Sequence, residues 1–336
     1  MTRSILLSAL AMSAACSEYN LPGSGLPPVE ANPPEIATPV RTDSITQVTL
    51  PSVDVLFVID NSCSMQDDQQ SLRDNFPLFM EYFLGSGLDY HIGVVSTDMD
   101  ANNQKGKLQD GGTPYLWIDA ATPNPDQVFG DMALLGTMGS GIEAGIGAAY
   151  SAIEIHSTPG GFNDGFYRED ARLDVVIISD EEDQTATSVI TKAEFIQYLL
   201  DLKSDPSLVG FSSIVNIQPC CSIADGGSPG EKYLDVTNAV GGITWDIKDG
   251  AWDQLLQLLG IQAAGLKREF FLSELPVPGS IEVVVTDVDG TEYEFQEEVD
   301  WTYNATRNSV AFLEYLPPPL ADVVVTYEAL AAAESN

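Results

Sequence analysis

Val53-Asp54-Val55-Leu56-Phe57-Val58-Ile59 runs straight into Asp60-Asn61-Ser62-Cys63-Ser64. The first seven residues are a nearly continuous β-prone run, as a strand buried on both faces of a parallel sheet requires. The next five read D-x-S-x-S at the mouth of that strand. One carboxylate and two hydroxyls at alternate positions on a tight loop can face a single cation, and oxygen donors suit Mg²⁺, Mn²⁺ or Ca²⁺. From Gln66 onward, Leu72, Phe76, Phe79, Met80 and Phe83 recur at spacings of three and four. That spacing predicts a helix, with Pro77 as a point of kinking or division. Ser64 also suits the N-cap of that helix, and the two roles are compatible.

Outward from this stretch, strands and helices alternate. Tyr90–Ser96, Leu173–Ser179 and Val209–Ile217 read as strands, with Gly242–Trp245 as a short one. Gly141–His156, Val189–Leu202 and Trp252–Gly265 read as helices. Such alternation predicts an α/β fold with a doubly wound, mostly parallel sheet. Ligands in such sheets sit beyond the carboxyl ends of the strands. After about residue 270 the pattern changes to short strand candidates: Ile281–Val285, Tyr293–Val299, Val310–Tyr315 and Asp322–Tyr327. Asp289-Gly290 is a hairpin turn signal. This predicts a small all-β module, very acidic, with fourteen acids against one base (Arg307) over residues 269–336. Asp287 and Asp289 lack the rest of an EF-hand loop and read as turn residues.

With these elements in place, the chain resembles a von Willebrand factor type A domain. Asp60, Ser62 and Ser64 match that family's metal-ion-dependent adhesion motif. The family adds a Thr before the helix that follows the third strand. Gly139-Ser140-Gly141-Ile142-Glu143-Ala144-Gly145-Ile146 matches that spacing with Ser140 in the Thr place, and Thr137 is the alternative. The family's last ligand is an Asp after the fourth strand, and Val175-Val176-Ile177-Ile178-Ser179-Asp180 supplies Asp180. The resemblance covers roughly residues 50–268. It implies a metal set of Asp60, Ser62, Ser64, Ser140 and Asp180, holding Mg²⁺ (or Mn²⁺ or Ca²⁺). It also implies an open coordination position that a partner protein's Asp or Glu carboxylate completes. Within the family the chain is similar to myxobacterial-type secreted and lipoprotein members. The shared stretches are Asp60–Met65 (DNSCSM), Asp89–Asp100 (DYHIGVVSTDMD), Ser179–Thr185 (SDEEDQT) and Trp301–Asn304 (WTYN). Asp98, and Glu181 with Glu182 and Asp183, form a second cation site, a second shell for the first, or a solvated acidic loop.

The N-terminus has the shape of an export signal. Met1-Thr2-Arg3 is positively charged, and the apolar run Ile5–Ala15 is shorter than the roughly 20 residues that span a bilayer. Ser13-Ala14-Ala15-Cys16 resembles a bacterial lipobox, with Ser13 where Leu is usual, so lipidation of Cys16 is expected. Ordinary cleaved secretion is the alternative. Ser17, rather than Asp, favours the outer membrane of a Gram-negative cell by analogy. Pro22, Pro27, Pro28, Pro33, Pro34 and Pro39 give the next stretch the composition of an extended linker. The expected organisation is therefore a signal peptide over 1–16, a Pro-rich linker over 17–49, an α/β domain over 50–268 and an acidic all-β module over 269–330.

Composition sets the outer bounds. The 336 residues carry 14 Lys+Arg against 50 Asp+Glu, a formal net charge of −36. Nucleic-acid backbones need a basic footprint, so that class of partner is excluded. The acidity fits cation binding, a basic partner or high external salt. Four Cys and two His leave no Cys-rich zinc scaffold. In an exported chain disulfides persist. Cys63 and Cys220 or Cys221 should share the metal-bearing rim, so one bridge between them is expected, with a vicinal Cys220–Cys221 bridge as the alternative. The chain lacks a Walker A loop and HExxH. The expected function is adhesion or protein binding rather than catalysis. A structural envelope protein whose cation only stabilises the fold is the second reading, and a metal-dependent hydrolase the third.

Overall fold

A computed structural model describes residues 38–47, 52–84, 86–218, 227–313 and 315–330. The signal segment, Cys16, and Cys220 and Cys221 lie outside the described residues, as does most of the Pro-rich stretch.

The apolar run before Asp60 is β2 (Ser52–Ile59), the second of twelve strands among the described residues. Its alternation sorts side chains cleanly. Val53, Val55, Phe57 and Ile59 enter one buried cluster, and Leu56 and Val58 enter another on the opposite face. Both faces are therefore covered, as a parallel sheet needs. The sheet comprises β3 (Asp89–Ser96), β2, β4 (Arg172–Ser179), β5 (Val209–Val215) and β6 (Thr244–Asp246) in that order. Every pairing is parallel. Helices α1 (Gln66–Met80), α2 (Pro125–Ala133) and α6 (Trp252–Ala263) pack on the Phe57 face; α3 (Gly145–Tyr150), α4 (Lys192–Asp201) and α5 (Glu231–Val240) pack on the other. Connections from β2 and β4 leave in opposite directions across the sheet, which puts the crevice of a doubly wound fold between the ends of these two strands.

Several expected bounds shift. Pro77 sits inside α1 near its end and does not divide it. The stretch Gly141–His156 is not one α-helix. It opens as a loop, turns α-helical at Gly145 and continues as a π-helix over Ser151–His156. Helix α4 starts at Lys192, not Val189, because Thr191 and Glu194 form a capping box there.

The all-β module is two antiparallel sheets. One has the order β1 (Val40–Thr46), β12 (Asp322–Glu328), β8 (Glu282–Thr286), β9 (Glu292–Phe295); the other is β10 (Trp301–Asn304), β11 (Ser309–Phe312), β7 (Glu269–Phe271). Trp301, Phe270, Phe312, Val283, Val325 and Tyr327 are among the residues of their shared core. Strand β1 corrects the expected domain limits. It lies inside the stretch read as a linker and pairs along its whole length with β12, Val40 opposite Glu328 and Thr46 opposite Asp322. The α/β body is thus inserted into the β module between β1 and β7. Gln47, 1% exposed, fastens this junction. Its Nε2 donates to Lys267 O (2.7 Å) and Pro317 O (3.2 Å), and its Oε1 accepts from Lys267 N (3.2 Å). Among the described residues, no helix is long and apolar enough to cross a membrane.

Candidate metal centre

The sheet delivers Asp60 and Asp180 to adjacent positions. Asp60 N donates to Ile178 O (2.9 Å), so the β2–β4 ladder continues to the first residue of the loop. Asp60 is fully buried, and its carboxylate anchors the turn. Oδ1 accepts from Ser62 N (2.7 Å) and Oδ2 from Ser179 Oγ (2.7 Å). The turn then presents both hydroxyls together, with Ser62 Oγ 3.2 Å from Ser64 Oγ. Ser64 Oγ donates to Asp180 Oδ1 (3.1 Å) across the crevice. Gln69 braces the loop from α1, donating to Asp60 O (2.9 Å) and Gly136 O (3.0 Å). Four of the five expected residues are thereby gathered at one mouth.

The fifth is not. Ser140 Oγ donates to Asp100 Oδ2 (2.8 Å), and Ser140 N to Asp98 Oδ2 (3.2 Å), so that hydroxyl is engaged away from Asp60. No hydrogen bond places the hydroxyl of Thr137, the alternative, at the mouth either. The third loop instead brings Glu143 there. Glu143 is fully buried and accepts from Thr97 Oγ1 (2.5 Å) through Oε2, and burial together with the charge of Asp60 holds its carboxyl above the ordinary range. Backbone bonds hold it, from Ala144 N to Thr97 O (3.1 Å) beside the bridge of Asp98 with Glu143, and from Gln184 N to Glu143 O (2.6 Å). Sequence reasoning looked for a hydroxyl in a glycine-rich loop of uncertain register and passed over the carboxylate three residues on. Asp98 is a positioning residue. Its Oδ1 accepts from Asp100 N (2.7 Å) and Ala101 N (3.0 Å), which shapes the turn that receives Ser140.

Electrostatically the mouth is strained by like charge. Burial raises the carboxyls of Asp68, Glu143, Asp180 and Glu181 above their ordinary range, and the nearby Asp60 adds to the rise in each. Asp68 is pushed up to about 6, with Lys248 opposing. Glu181 feels the charges of both Asp180 and Asp60. Asp183 is buried and turned inward, accepting from Ile146 N (3.1 Å) and Thr185 Oγ1 (2.7 Å). Exposed Cys63 lies on the loop, but its expected partners lie outside the described residues. His91 and His156 are structural: a ring nitrogen of each meets a backbone carbonyl, of Phe166 (2.8 Å) and Lys105 (3.0 Å).

Among the described residues, no three His, Cys, Asp or Glu side chains converge as a ready-made metal cage. The donors here are of another kind, two hydroxyls set among carboxylates. They fit a hard divalent cation on one observation above all. Glu143 Oε1 is buried with no hydrogen-bond partner, and the charge of buried Asp60 adds to the burial that raises its carboxyl. A cation beside Glu143 would offset both the desolvation and the repulsion that raise its carboxyl.

A pH prediction follows from the raised groups. In the metal-free protein, Asp68 and Glu143 hold protons more tightly folded than unfolded. Their contribution to stability is complete below the ordinary carboxylate range and is lost as pH rises through the raised folded values. Urea midpoints in chelator should therefore fall from about pH 4 toward about pH 7, and fall less in Glu143→Gln. Equal pH slopes for the two proteins would remove Glu143 from the account.

No family model and no curated protein matches the chain. Among solved structures it is similar to proximal thread matrix protein 1 from the mussel byssus, at 13% identity and a TM-score of 0.40, over 68% of this chain and 51% of that one. The chain thus spans about half the length of that protein.

Proposed function

We propose that the chain is a von Willebrand factor type A protein, exported and lipid-anchored through Cys16 at the cell envelope, that binds a partner protein through a divalent cation. Asp60, Ser62, Ser64 and Asp180 would hold the cation, with Glu143 buried nearby; Mg²⁺ comes first, with Mn²⁺ or Ca²⁺ as alternatives. The observation that carries the reading is the gathering of the Ser62 and Ser64 hydroxyls with the carboxylates of Asp60 and Asp180 at the ends of two adjacent strands. When bound, the cation supplies a coordination position that a partner's Asp or Glu carboxylate can complete. The chain's own residues do the rest. Ser62 and Ser64 offer neutral oxygens, which leave positive charge uncancelled. Asp60 and Asp180 already accept hydrogen bonds from Ser62 N, Ser179 Oγ and Ser64 Oγ, which fixes their orientation.

Glu143 also favours a second reading. A buried carboxylate where a hydroxyl was expected adds negative charge, which holds a cation more firmly and attracts an acidic partner less. On that reading the cation only stabilises an envelope protein. Partner capture separates the two. The anchored protein should retain a cross-linkable envelope partner in Mg²⁺ and lose it in EDTA and in Asp60→Ala. Retention unchanged by both treatments would end the adhesion reading.

A further inference from the structure

We propose that the arch Gly136–Ile142 is the apolar half of the docking surface, and that its occupant is a protein segment carrying one carboxylate beside a large apolar side chain, with basic residues on either side. This rests on the cation-dependent reading above and specifies its partner. The arch is well fastened. Gly136 N donates to Gln69 Oε1 (3.2 Å), Gly139 N to Asn61 O (2.9 Å) and Ser140 Oγ to Asp100 Oδ2 (2.8 Å). Gly139 packs directly on Asn61, whose Oδ1 would lie 2.2 Å from a Cβ at that position. Between these fastenings Met138 is 96% exposed, and Ile142 beyond them is 51% exposed.

A loop this firmly held yet turning a Met fully into water gains nothing in packing from that side chain. Met is flexible and polarizable, and it is over-used at binding surfaces for that reason. Both residues also sit beside the cation loop. Met138 precedes Gly139, which packs on Asn61, the residue after Asp60. Ile142 precedes Glu143, whose carboxyl feels the charge of Asp60. At both feet of the arch a buried acceptor has no partner, Asn61 Oδ1 and Glu143 Oε1.

Charge selects the rest of the occupant. Asp68, Asp180 and Glu181 ring the mouth, and Asp100 is bonded to the arch itself. A bare acidic segment would be repelled, and Lys or Arg beside its carboxylate offsets that. A second copy of this chain, with 50 acids against 14 bases, is poorly matched to the surface.

The test uses the full chain in Mn²⁺ and three capped, dye-labelled pentapeptides read by fluorescence anisotropy. The first has a central aspartate between leucines with terminal lysines. The second replaces the leucines by serines, and the third replaces the aspartate by asparagine. Burial of an apolar side chain of this size predicts that the first binds at least about tenfold more tightly than the serine peptide, and loss of the carboxylate facing the cation should weaken the asparagine peptide as well. The double variant Met138→Ser with Ile142→Ser should lower the first to the level of the serine peptide while keeping the Mn²⁺-induced rise in melting temperature. Equal binding of the leucine and serine peptides, no effect of the double variant, or no binding by any peptide would overturn the proposal. Asparagine and aspartate peptides binding alike would remove the carboxylate from it. Loss of the Mn²⁺ effect in the wild-type chain would instead defeat the cation reading itself.

Discussion

Arg168→Met should cost about 3–5 kcal/mol of folding stability at neutral pH, as removal of one partner from a buried ion pair does. The reason lies at the end of the sheet opposite the cation loop. Asp54 is fully buried inside β2, and burial pushes its carboxyl up despite the guanidinium beside it. Arg168 answers it three times. Its backbone N donates to Asp54 Oδ2 (2.6 Å), its Nε to Oδ1 (2.8 Å), and its Nη2 lies 2.7 Å from Oδ1. Nη1 meets Asp89 Oδ2 at 2.7 Å, which ties in the neighbouring strand β3. Without the guanidinium, Asp54 must stay charged in an apolar wall or take up a proton. Because the stranded carboxyl protonates in acid, the loss should shrink toward pH 4, and the double variant with Asp54→Asn should recover much of it. Urea denaturation at both pH values is the check. A loss below about 1 kcal/mol at neutral pH would place the pair among ordinary surface ion pairs.

Phe57→Ala should cost a similar 3–5 kcal/mol, the range for deleting a large ring from a packed core. Phe57 is fully buried at the centre of β2. Its ring stands edge-on to Phe76, Phe79 and Phe129, with centroid separations of 6.2, 5.6 and 5.0 Å. Those partners come from α1 and α2, so the cavity would loosen both helices together. Phe57→Leu, which keeps most of the volume, should lose clearly less. Equal losses for the two variants would show that ring geometry rather than volume holds this face.

The same strand explains how much could be read from the sequence. β2 and β4 are short, apolar on both alternations and bounded by polar turns, so their position and the loop after each were legible. Asp60, Ser62 and Ser64 followed from the loop after β2, and Asp180 from the family resemblance. Glu143 did not, because its place depends on how a glycine-rich arch folds over Asn61, and no local pattern encodes that contact. Strand β1 was hidden for a related reason. Its seven residues are mostly exposed and polar, and only pairing with β12, almost 300 positions later in the chain, makes them a strand. Helix α5 buries just Tyr233, Val236 and Thr237, too few apolar positions to announce a period. Helix α2 opens on Pro125 after a left-handed Asn124, a start that reads equally well as a turn.

Thermal unfolding of residues 17–336 under titration with Mg²⁺, Mn²⁺ and Ca²⁺ at fixed ionic strength, for wild type and Asp60→Ala, tests the cation site most directly. A ligand that binds only the folded state stabilises it by mass action, by about 2.7 kcal/mol at a hundred times its dissociation constant. A saturable rise in wild type that disappears in Asp60→Ala is the predicted result. An equal rise in both proteins would assign cation binding to the acidic surface at large, and no rise in either would leave the loop at Asp60 without a metal.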